Sequence, residues 1–481
     1  MSDDVPGTTL NELLDGYPEP TGLTAADVRE ARGTAARQLV VLDDDPTGTQ
    51  SVGDLPVLTD WTEDDLAWAL GTGAPAVYVM TNSRSLDPET AAQRNCEVAI
   101  HALNAATRLG VEIDFVSRSD STLRGHYPLE PDVLTQALGQ ADVQVDGVII
   151  VPAFGDAGRI TVGSVHYAGS EATGYLPVGQ TEFAKDASFG YAASDLREWV
   201  EEKSEGRFAA ADVAAITLDV VRQGASAVAE ALLALSDAQP VVVDIVEESD
   251  LRALALGILR AERLGKRFVH RVGPPFVRAL IGQDVLEPLT ATDVAAIREG
   301  GVGEHAAHGL VVVGSHVALT TRQLDALRER RTPTELEIDV AQVLGATRDA
   351  HLGEVVARAV EALTDGTVVV RTSRTLVTGD DAASSLDIAR TVSDAVVEVV
   401  QRILATTPPR FVIAKGGITS SDVASRGLSI SRAMVRGPML PGIVSLWEPT
   451  EGPARGIPYI VFAGNVGDDQ SLADVVDKLT A

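Results

Sequence analysis

The sequence predicts an α/β protein of two domains, each a mostly parallel sheet flanked by helices, with an active-site cleft between the domains. Short apolar runs alternate with helical segments throughout, which is the pattern of βαβ units. A polar cluster follows most of these runs. A stretch rich in Gly, His and Ala around residues 300–308 marks the expected domain boundary. We therefore expect an N-terminal extension at 1–35, an N-terminal domain at 36–295 and a C-terminal domain at 309–481.

Composition narrows the functional classes. The 481 residues carry a formal net charge of −30, with 69 acidic against 39 basic side chains, which disfavours binding to nucleic acid or anionic membranes. No apolar run approaches the ~18 residues that span a bilayer, and the acidic N-terminus does not resemble a signal peptide. One cysteine excludes an internal disulfide. We expect a cytoplasmic protein, with a homodimer as the working hypothesis for its oligomeric state.

The first apolar run ends in the densest acidic cluster of the chain. Residues 39–42 read Leu-Val-Val-Leu and lead into Asp43-Asp44-Asp45-Pro46-Thr47-Gly48. Adjacent carboxylates repel one another, so they are best tolerated where a cation, a metal or a substrate hydroxyl compensates. The carboxyl ends of strands are also where open α/β sheets bind ligands. Taken alone, the motif fits a solvated acidic turn better than a binding site.

Further polar loops follow the predicted strands at 76–80, 113–116 and 147–151, and helices are predicted at 63–70 and 87–109. Each loop carries arginine, which suits bidentate recognition of carboxylate or phosphate, although surface ion pairing is the alternative. The arginines concerned are Arg84, Arg118, Arg124 and Arg159. For His126 and His166 a structural role is the better hypothesis.

Residues 161–190 break the alternation of strands and helices. They are rich in glycine and show no clear periodicity. We expect a long functional loop or lid there.

In the second half, predicted strands at 310–313, 411–414 and 459–462 each run into glycine. The glycines, with the serine after the first strand, are Gly314-Ser315, Gly416-Gly417 and Gly464. Glycine lets the backbone approach a ligand closely, and nearby hydroxyl and N–H groups suit a phosphate. The chain has no Walker A loop, and no GxGxxG follows its first strand. Each glycine turn alone fits a structural turn at least as well.

With these motifs in hand, the chain resembles the four-carbon acid sugar kinase family over nearly its whole length. DDDPTGTQ, SRSDSTLRG, PAFGDAGRITVGSVHY and TEFAKD are similar to the family's N-terminal motifs. VVVGSHVALTTRQL, KGGITSSDVA and GNVGDD are similar to its C-terminal motifs. The resemblance implies ATP-dependent phosphorylation of a four-carbon sugar acid, with the acid bound by the N-terminal domain and ATP by the C-terminal domain.

The resemblance also assigns residues. The acid-binding loops contain Asp44, Asp45, Thr47, Arg84, Asp120, Ser121 and Arg124, and the ATP-binding loops contain Ser315, Gly416, Gly417, Ile418, Thr419 and Gly464. We expect Asp44 or Asp45 to act as the base, Arg84 and Arg124 to hold the substrate carboxylate, and Mg²⁺, with unassigned protein ligands, to bridge the phosphates.

Several departures from the family support an alternative, among them the residues Val272 to Phe276 and Pro46. The family commonly carries an acidic residue where this chain has Ile418. A non-catalytic sensor of sugar acids or nucleotides is therefore the rival hypothesis, and a hydrolase is a third.

Overall fold

The computed structural model describes residues 7–33, 36–299, 305–374, 377 and 382–481. The predicted linker at 300–308 and the predicted N-terminal extension each fall partly outside these residues. The described chain forms two compact units. The N-terminal unit comprises residues up to 48 together with 61–285, and the C-terminal unit comprises 49–60 and 286–481. The segment 49–60 thus belongs to the C-terminal unit, whereas the predicted domain ranges placed it in the N-terminal domain.

The strands in the described residues are β1 (Gln38–Asp43), β2 (Leu55–Leu58), β3 (Ala76–Met80), β4 (Ile113–Arg118), β5 (Gly147–Val151), β6 (Arg159–Val162), β7 (Val165–Ser170), β8 (Gly174–Pro177), β9 (Ala214–Ile216), β10 (Gln239–Val243), β11 (Phe268–Val272), β12 (Leu310–Val313), β13 (Thr334–Ile338), β14 (Val368–Thr372), β15 (Val412–Lys415), β16 (Arg432–Leu440), β17 (Ile443–Pro449) and β18 (Tyr459–Phe462).

The helices in the described residues are α1 (Leu10–Leu13), α2 (Ala25–Arg32), α3 (Glu63–Gly71), α4 (Pro88–Leu109), α5 (Leu129–Gln140), α6 (Leu196–Lys203), α7 (Leu218–Val221), α8 (Ala225–Leu233), α9 (Glu248–Arg263), α10 (Pro275–Leu280), α11 (Ala291–Glu299), α12 (Ala318–Arg331), α13 (Val340–Val343), α14 (Arg348–Ala362), α15 (Ala382–Thr406), α16 (Gly417–Asp422) and α17 (Ser471–Thr480). None of them is long and apolar enough to cross a membrane.

The N-terminal unit is built on a parallel sheet with the strand order β3-β1-β4-β11-β5-β10-β9. Strand β1 lies inside this sheet, and its residues from Leu39 onward are buried, as expected for a parallel strand covered on both faces. Helix α4 begins where the Asp87 side chain accepts a hydrogen bond from the Thr90 amide, with Pro88 in the first turn, and it ends at Gly110 in a left-handed conformation. The predicted α/β architecture is confirmed.

The expectation of a long loop at 161–190 is wrong for its first part. Strands β6, β7 and β8 form a separate antiparallel sheet. The alternation of burial along β7 is short and Gly169 interrupts it, so the strand is not evident from the sequence. Residues 178–180 and 182–185 form single 3₁₀ turns.

The C-terminal unit has a mixed sheet. Strands β13, β14, β12, β15 and β18 are parallel neighbours in that order, and β17, β16 and β2 extend the sheet with antiparallel pairings. Its core includes the buried side chains of Val311, Phe411, Ile460 and Leu472.

Candidate functional site

Five neighbouring parallel strands of the N-terminal unit, β3, β1, β4, β11 and β5, end at the same edge of the sheet. The polar loops that leave four of them carry the residues singled out by the sequence. These residues are Asp43 to Thr47 after β1, Arg84 after β3, Ser119 to Arg124 after β4 and Arg159 after β5. The parallel topology explains why residues far apart in the chain come together here.

Arg84 is the central cation of this edge. Its Nη2 and Nε donate to the two carboxylate oxygens of Asp44 at 2.6 and 3.0 Å. Its Nη1 lies 3.5 Å from Asp45 Oδ2 and 4.0 Å from Asp120 Oδ1. Burial lowers the pKa of Arg84, but these three carboxylates raise it well above its ordinary value. Arg84 therefore neutralises the acidic cluster and fixes its geometry.

Asp45 differs from its neighbour Asp44 in access to solvent. Its side chain is 23% exposed, against 2% for Asp44. The amide and hydroxyl of Thr47 donate to Asp45 Oδ1 at 3.0 and 2.6 Å. Burial raises the pKa of Asp45, but Arg84, Arg118 and the Thr47 hydrogen bonds outweigh burial and lower it. Asp45 is thus an ionised carboxylate that remains accessible to solvent.

Arg118 and Asp43 form a buried ion pair next to Asp45. Arg118 donates to the Asp43 carboxylate and to the backbone carbonyl of Asp45. A Cβ on Gly48 would collide with both members of the pair, so the glycine of the PTG turn is required by space.

The loop after β4 supplies a second ion pair. Arg124 Nε donates to Asp120 Oδ2 at 2.8 Å, and the Thr122 hydroxyl donates to the same oxygen. The carbonyl of Ser121 accepts a hydrogen bond from His166 Nε2 at 2.8 Å. Burial lowers the pKa of His166 to about 4. The imidazole is therefore neutral and positions this loop, as the structural hypothesis for His166 expected.

Arg271, near the end of β11, is a further buried cation at this edge of the sheet. It donates through Nη1 to Ser117 Oγ at 3.0 Å and to the buried carboxylate of Glu130. A Cβ on Gly125 would lie 2.8 Å from Arg271 Nη2 and 3.0 Å from Asp44 Oδ2, at a φ of +115°. Residue 125 fits against Arg271 and Asp44 only because it has no side chain.

In the C-terminal unit, the neighbouring parallel strands β12, β15 and β18 end together. Ser315 lies where the three following loops meet. Thr320 Oγ1 donates to the Gly464 carbonyl at 3.0 Å and lies 3.1 Å from Ser315 Oγ. Added Cβ atoms would collide with Thr419 Oγ1 at Gly314 and with Ser315 Oγ at Gly464. The glycines thus allow the loops to pack closely.

Gly416 has both a special conformation and a crowded position. Its φ is +127°, and a Cβ would lie 3.2 Å from Thr419 Oγ1 and 3.3 Å from Ser315 Cβ. Gly417 follows at the start of α16, and residue Ile418 is 66% exposed. Because residues 416 and 417 have no side chains, a ligand can approach the backbone closely here.

Both halves of the chain match models of known families. Residues 39–280 match a sugar-binding N-terminal domain, and residues 310–472 match a nucleotide-binding C-terminal domain. A D-erythronate kinase from Heliobacterium modesticaldum is 28% identical over 92% of this chain and 97% of its own. The chain belongs to the four-carbon acid sugar kinase family.

A further relative is similar to part of this chain, and two solved structures share its fold. A 3-oxo-isoapionate kinase from Paraburkholderia graminis is 32% identical over 33% of this chain and 36% of its own. A Salmonella typhimurium protein, 17% identical, aligns over 91% of this chain and 98% of its own with a TM-score of 0.65. A Haemophilus influenzae protein, also 17% identical, aligns over 92% and 100% with a TM-score of 0.61. These two structures show the fold alone.

Three cations beside these residues were not singled out by the family motifs. Arg271 lies within a strand, and only the close approach to Gly125 reveals it. Arg374 donates to the Ser315 carbonyl and, at 2.7 Å, to Thr321 Oγ1. Lys415, the last residue of β15, is buried, donates to the Ala463 carbonyl at 2.7 Å and lies 3.7 Å from the centre of the Phe462 ring. Its place in KGG, directly before the glycines, was the available signal.

The described residues contain no group of three or more His, Cys, Asp or Glu side chains that could hold a metal ion. Instead, Asp43, Asp44 and Asp120 each form an ion pair with an arginine. We therefore assign no protein ligands to Mg²⁺ among these residues.

Lys415 yields a prediction about stability and pH. Burial lowers its pKa to about 7 from 10.5, so folding between these values requires the ammonium to lose a proton. Wild-type stability should rise relative to Lys415→Met as the pH increases from 7 to 10.5, by up to about 1.4 kcal/mol per pH unit. Urea unfolding of both proteins at pH 7, 8 and 9 tests this. A difference in stability that stays constant with pH would contradict a depressed pKa.

Proposed function

We propose that the protein is an ATP-dependent kinase that transfers the γ-phosphoryl group to a hydroxyl of a four-carbon, or similarly short, sugar acid. The observation that supports this most is the match of a sugar-binding and a nucleotide-binding domain in one chain, together with a full-length relative that is a D-erythronate kinase. Phosphoryl transfer of this kind requires positioning and charge neutralisation more than covalent chemistry by the protein.

In this proposal Asp45 accepts the proton of the attacking hydroxyl or orients it. It is the ionised carboxylate with solvent access, and Thr47 fixes its orientation. Asp44 holds Arg84, which in turn holds Asp45 in place. Asp120, Ser121 and Arg124 line the same acid site, where Asp120 and Ser121 are suited to hydroxyl groups.

The nucleotide is assigned to the loops of the C-terminal unit. Ser315, Gly416, Gly417, Ile418, Thr419 and Gly464 contact ATP in this proposal, and the close packing of the loops supports that role. Arg374 is a cation beside Ser315 that suits a phosphate oxygen. Magnesium is bound together with ATP and neutralises its phosphates.

A panel of four-carbon acids tests the proposal. Thermal shift with each acid and with MgATP identifies binding, and ADP release with and without each acid identifies turnover. The kinase predicts ADP release that depends on one of the acids. Stabilisation by an acid without ADP release would favour a sensor, and ADP release that is independent of any acid would favour a hydrolase.

A further inference from the structure

Arg159, which follows β5 and begins β6, is a half-buried cation without a matching anion among the described residues. Its Nη1 donates to the Ala157 carbonyl in its own turn. Its Nε is buried and has no hydrogen-bond acceptor there. Arg159 forms no ion pair with a carboxylate in the part of the chain that the structure describes. This is unexpected in a protein with 69 acidic residues, because a desolvated charge is costly unless it is paired.

A second guanidinium lies on the same aromatic ring. The Arg159 guanidinium carbon is 5.5 Å from the centre of the Phe183 ring, and the Arg124 guanidinium carbon is 5.7 Å from it. Burial lowers the pKa of Arg159, Asp120 opposes this change, and the charge of Arg124 adds to it. Two arginines thus repel each other around Phe183, a residue of the TEFAKD segment.

Arg124 also has N–H groups, on its two Nη atoms, that remain available to bind an anion. Its Nε is used by Asp120, while Nη1 lies 3.8 Å from Asp186 Oδ2. Neither Nη atom of Arg124 forms a hydrogen bond within the described residues. By contrast, the donors of Arg84 and Arg118 are used by Asp43, Asp44, Asp45 and backbone carbonyls. The cations still able to bind an added anion at this edge are therefore not those closest to the acidic cluster.

We infer that Arg159 and Arg124 bind the carboxylate of the acid substrate, with Phe183 fixing the positions of their guanidinium groups. This inference rests on the proposed function and identifies its anion subsite. A bound carboxylate would supply the acceptor that Arg159 Nε lacks and would screen the repulsion between the two arginines. It also assigns Arg84 to positioning the aspartates rather than to holding the substrate.

Calorimetric titration without nucleotide tests the inference. The probe is sodium D-erythronate, or the acid of the four-carbon panel that wild type binds most tightly, and erythritol is the neutral comparison. Arg159→Gln should weaken acid binding by about 10- to 100-fold, as expected for a lost charged hydrogen bond. Arg159→Lys should lie between Gln and wild type because it retains the charge but not the planar donors. In turnover, Arg159→Gln should raise KM for the acid more than it lowers kcat.

Arg197→Gln is the matched control. Arg197 is in the same unit, and its side chain is 43% exposed and pairs with Asp195 in its own turn at 2.7 Å. This control should bind the acid as wild type does. A stability measurement separates substrate binding from a structural role. Without ligand, Arg159→Gln should melt within about 2 °C of wild type or higher, because it removes an unpaired charge, whereas a structural arginine would lower Tm.

The outcomes separate this inference from the proposed function. Unchanged acid affinity in Arg159→Gln, with turnover by wild type, overturns the inference alone. Loss of acid binding in Arg159→Gln, with no ADP release by wild type, supports the inference and rules out the proposed kinase activity. No binding of any four-carbon acid by wild type overturns both.

Discussion

Asp45→Asn should lower acid-dependent ADP release by about 100- to 10,000-fold, the range for loss of a group that handles a proton in the transition state. Asparagine preserves the size of the side chain and can still receive the Thr47 hydrogen bonds through its carbonyl oxygen. It removes the charge that orients the hydroxyl and can accept its proton. Steady-state kinetics on the best acid of the panel measure the effect, which should appear mainly in kcat.

Two comparison variants make this prediction specific. Asp64→Asn changes an 80% exposed carboxylate on α3 and should leave activity and stability near wild type, since exposed ion pairs contribute little. Asp44→Asn weakens the bidentate pair with Arg84, in which the Asp44 side chain is 2% exposed, and should lower Tm markedly as well as activity. If Asp45→Asn keeps more than about a tenth of wild-type kcat, Asp45 is not the general base of the reaction.

Gly416→Ala should weaken nucleotide binding by about 10- to 100-fold, because alanine at a φ of +127° is strained by roughly 1–3 kcal/mol. Its Cβ would also lie against Thr419 Oγ1 and Ser315 Cβ. The chain can relieve this strain only by moving the loop before α16. Calorimetric titration with ATP measures the loss.

The control for this variant is Gly366→Ala, also in the C-terminal unit, where a Cβ would meet no atom within 4 Å. Gly366→Ala should bind ATP as wild type does. Binding of the acid should be unchanged in both variants, because the acid is assigned to the N-terminal unit. If Gly416→Ala binds ATP with wild-type affinity, the loop at Gly416 is not part of the nucleotide site.

The sequence predicts much of the fold because the apolar runs are short, continuous and separated by well-marked helices. The strands beginning at Ala76 and Gly147 match their predicted limits, and helix α4 differs by one residue. Parallel pairing then brings the loops after β1, β3 and β4 to one edge, so Asp45, Arg84 and Arg124 are found near one another without knowledge of tertiary contacts. The expected active-site cleft between the two domains remains a prediction.

Features that depend on tertiary contacts could not be read from the sequence. The arginine loops look alike in sequence, yet Arg84 is fully engaged by carboxylates, whereas Arg159 is not. The role of Gly125 depends on Arg271, which is distant in the chain. Strand β16 contains glycine and proline and has a register shift near Gly437, so its pattern is irregular. Its pairing with β2 also assigns residues 49–60 to the C-terminal unit.

Phosphorus-31 NMR of a reaction containing the protein, MgATP and the acid that gives the most ADP tests phosphoryl transfer most directly. We expect a phosphate ester of the acid to appear in the same amount as ADP, with neither formed in the absence of the acid. ADP accompanied only by inorganic phosphate, or no reaction with any acid that binds, would contradict the assignment of this chain as a sugar-acid kinase.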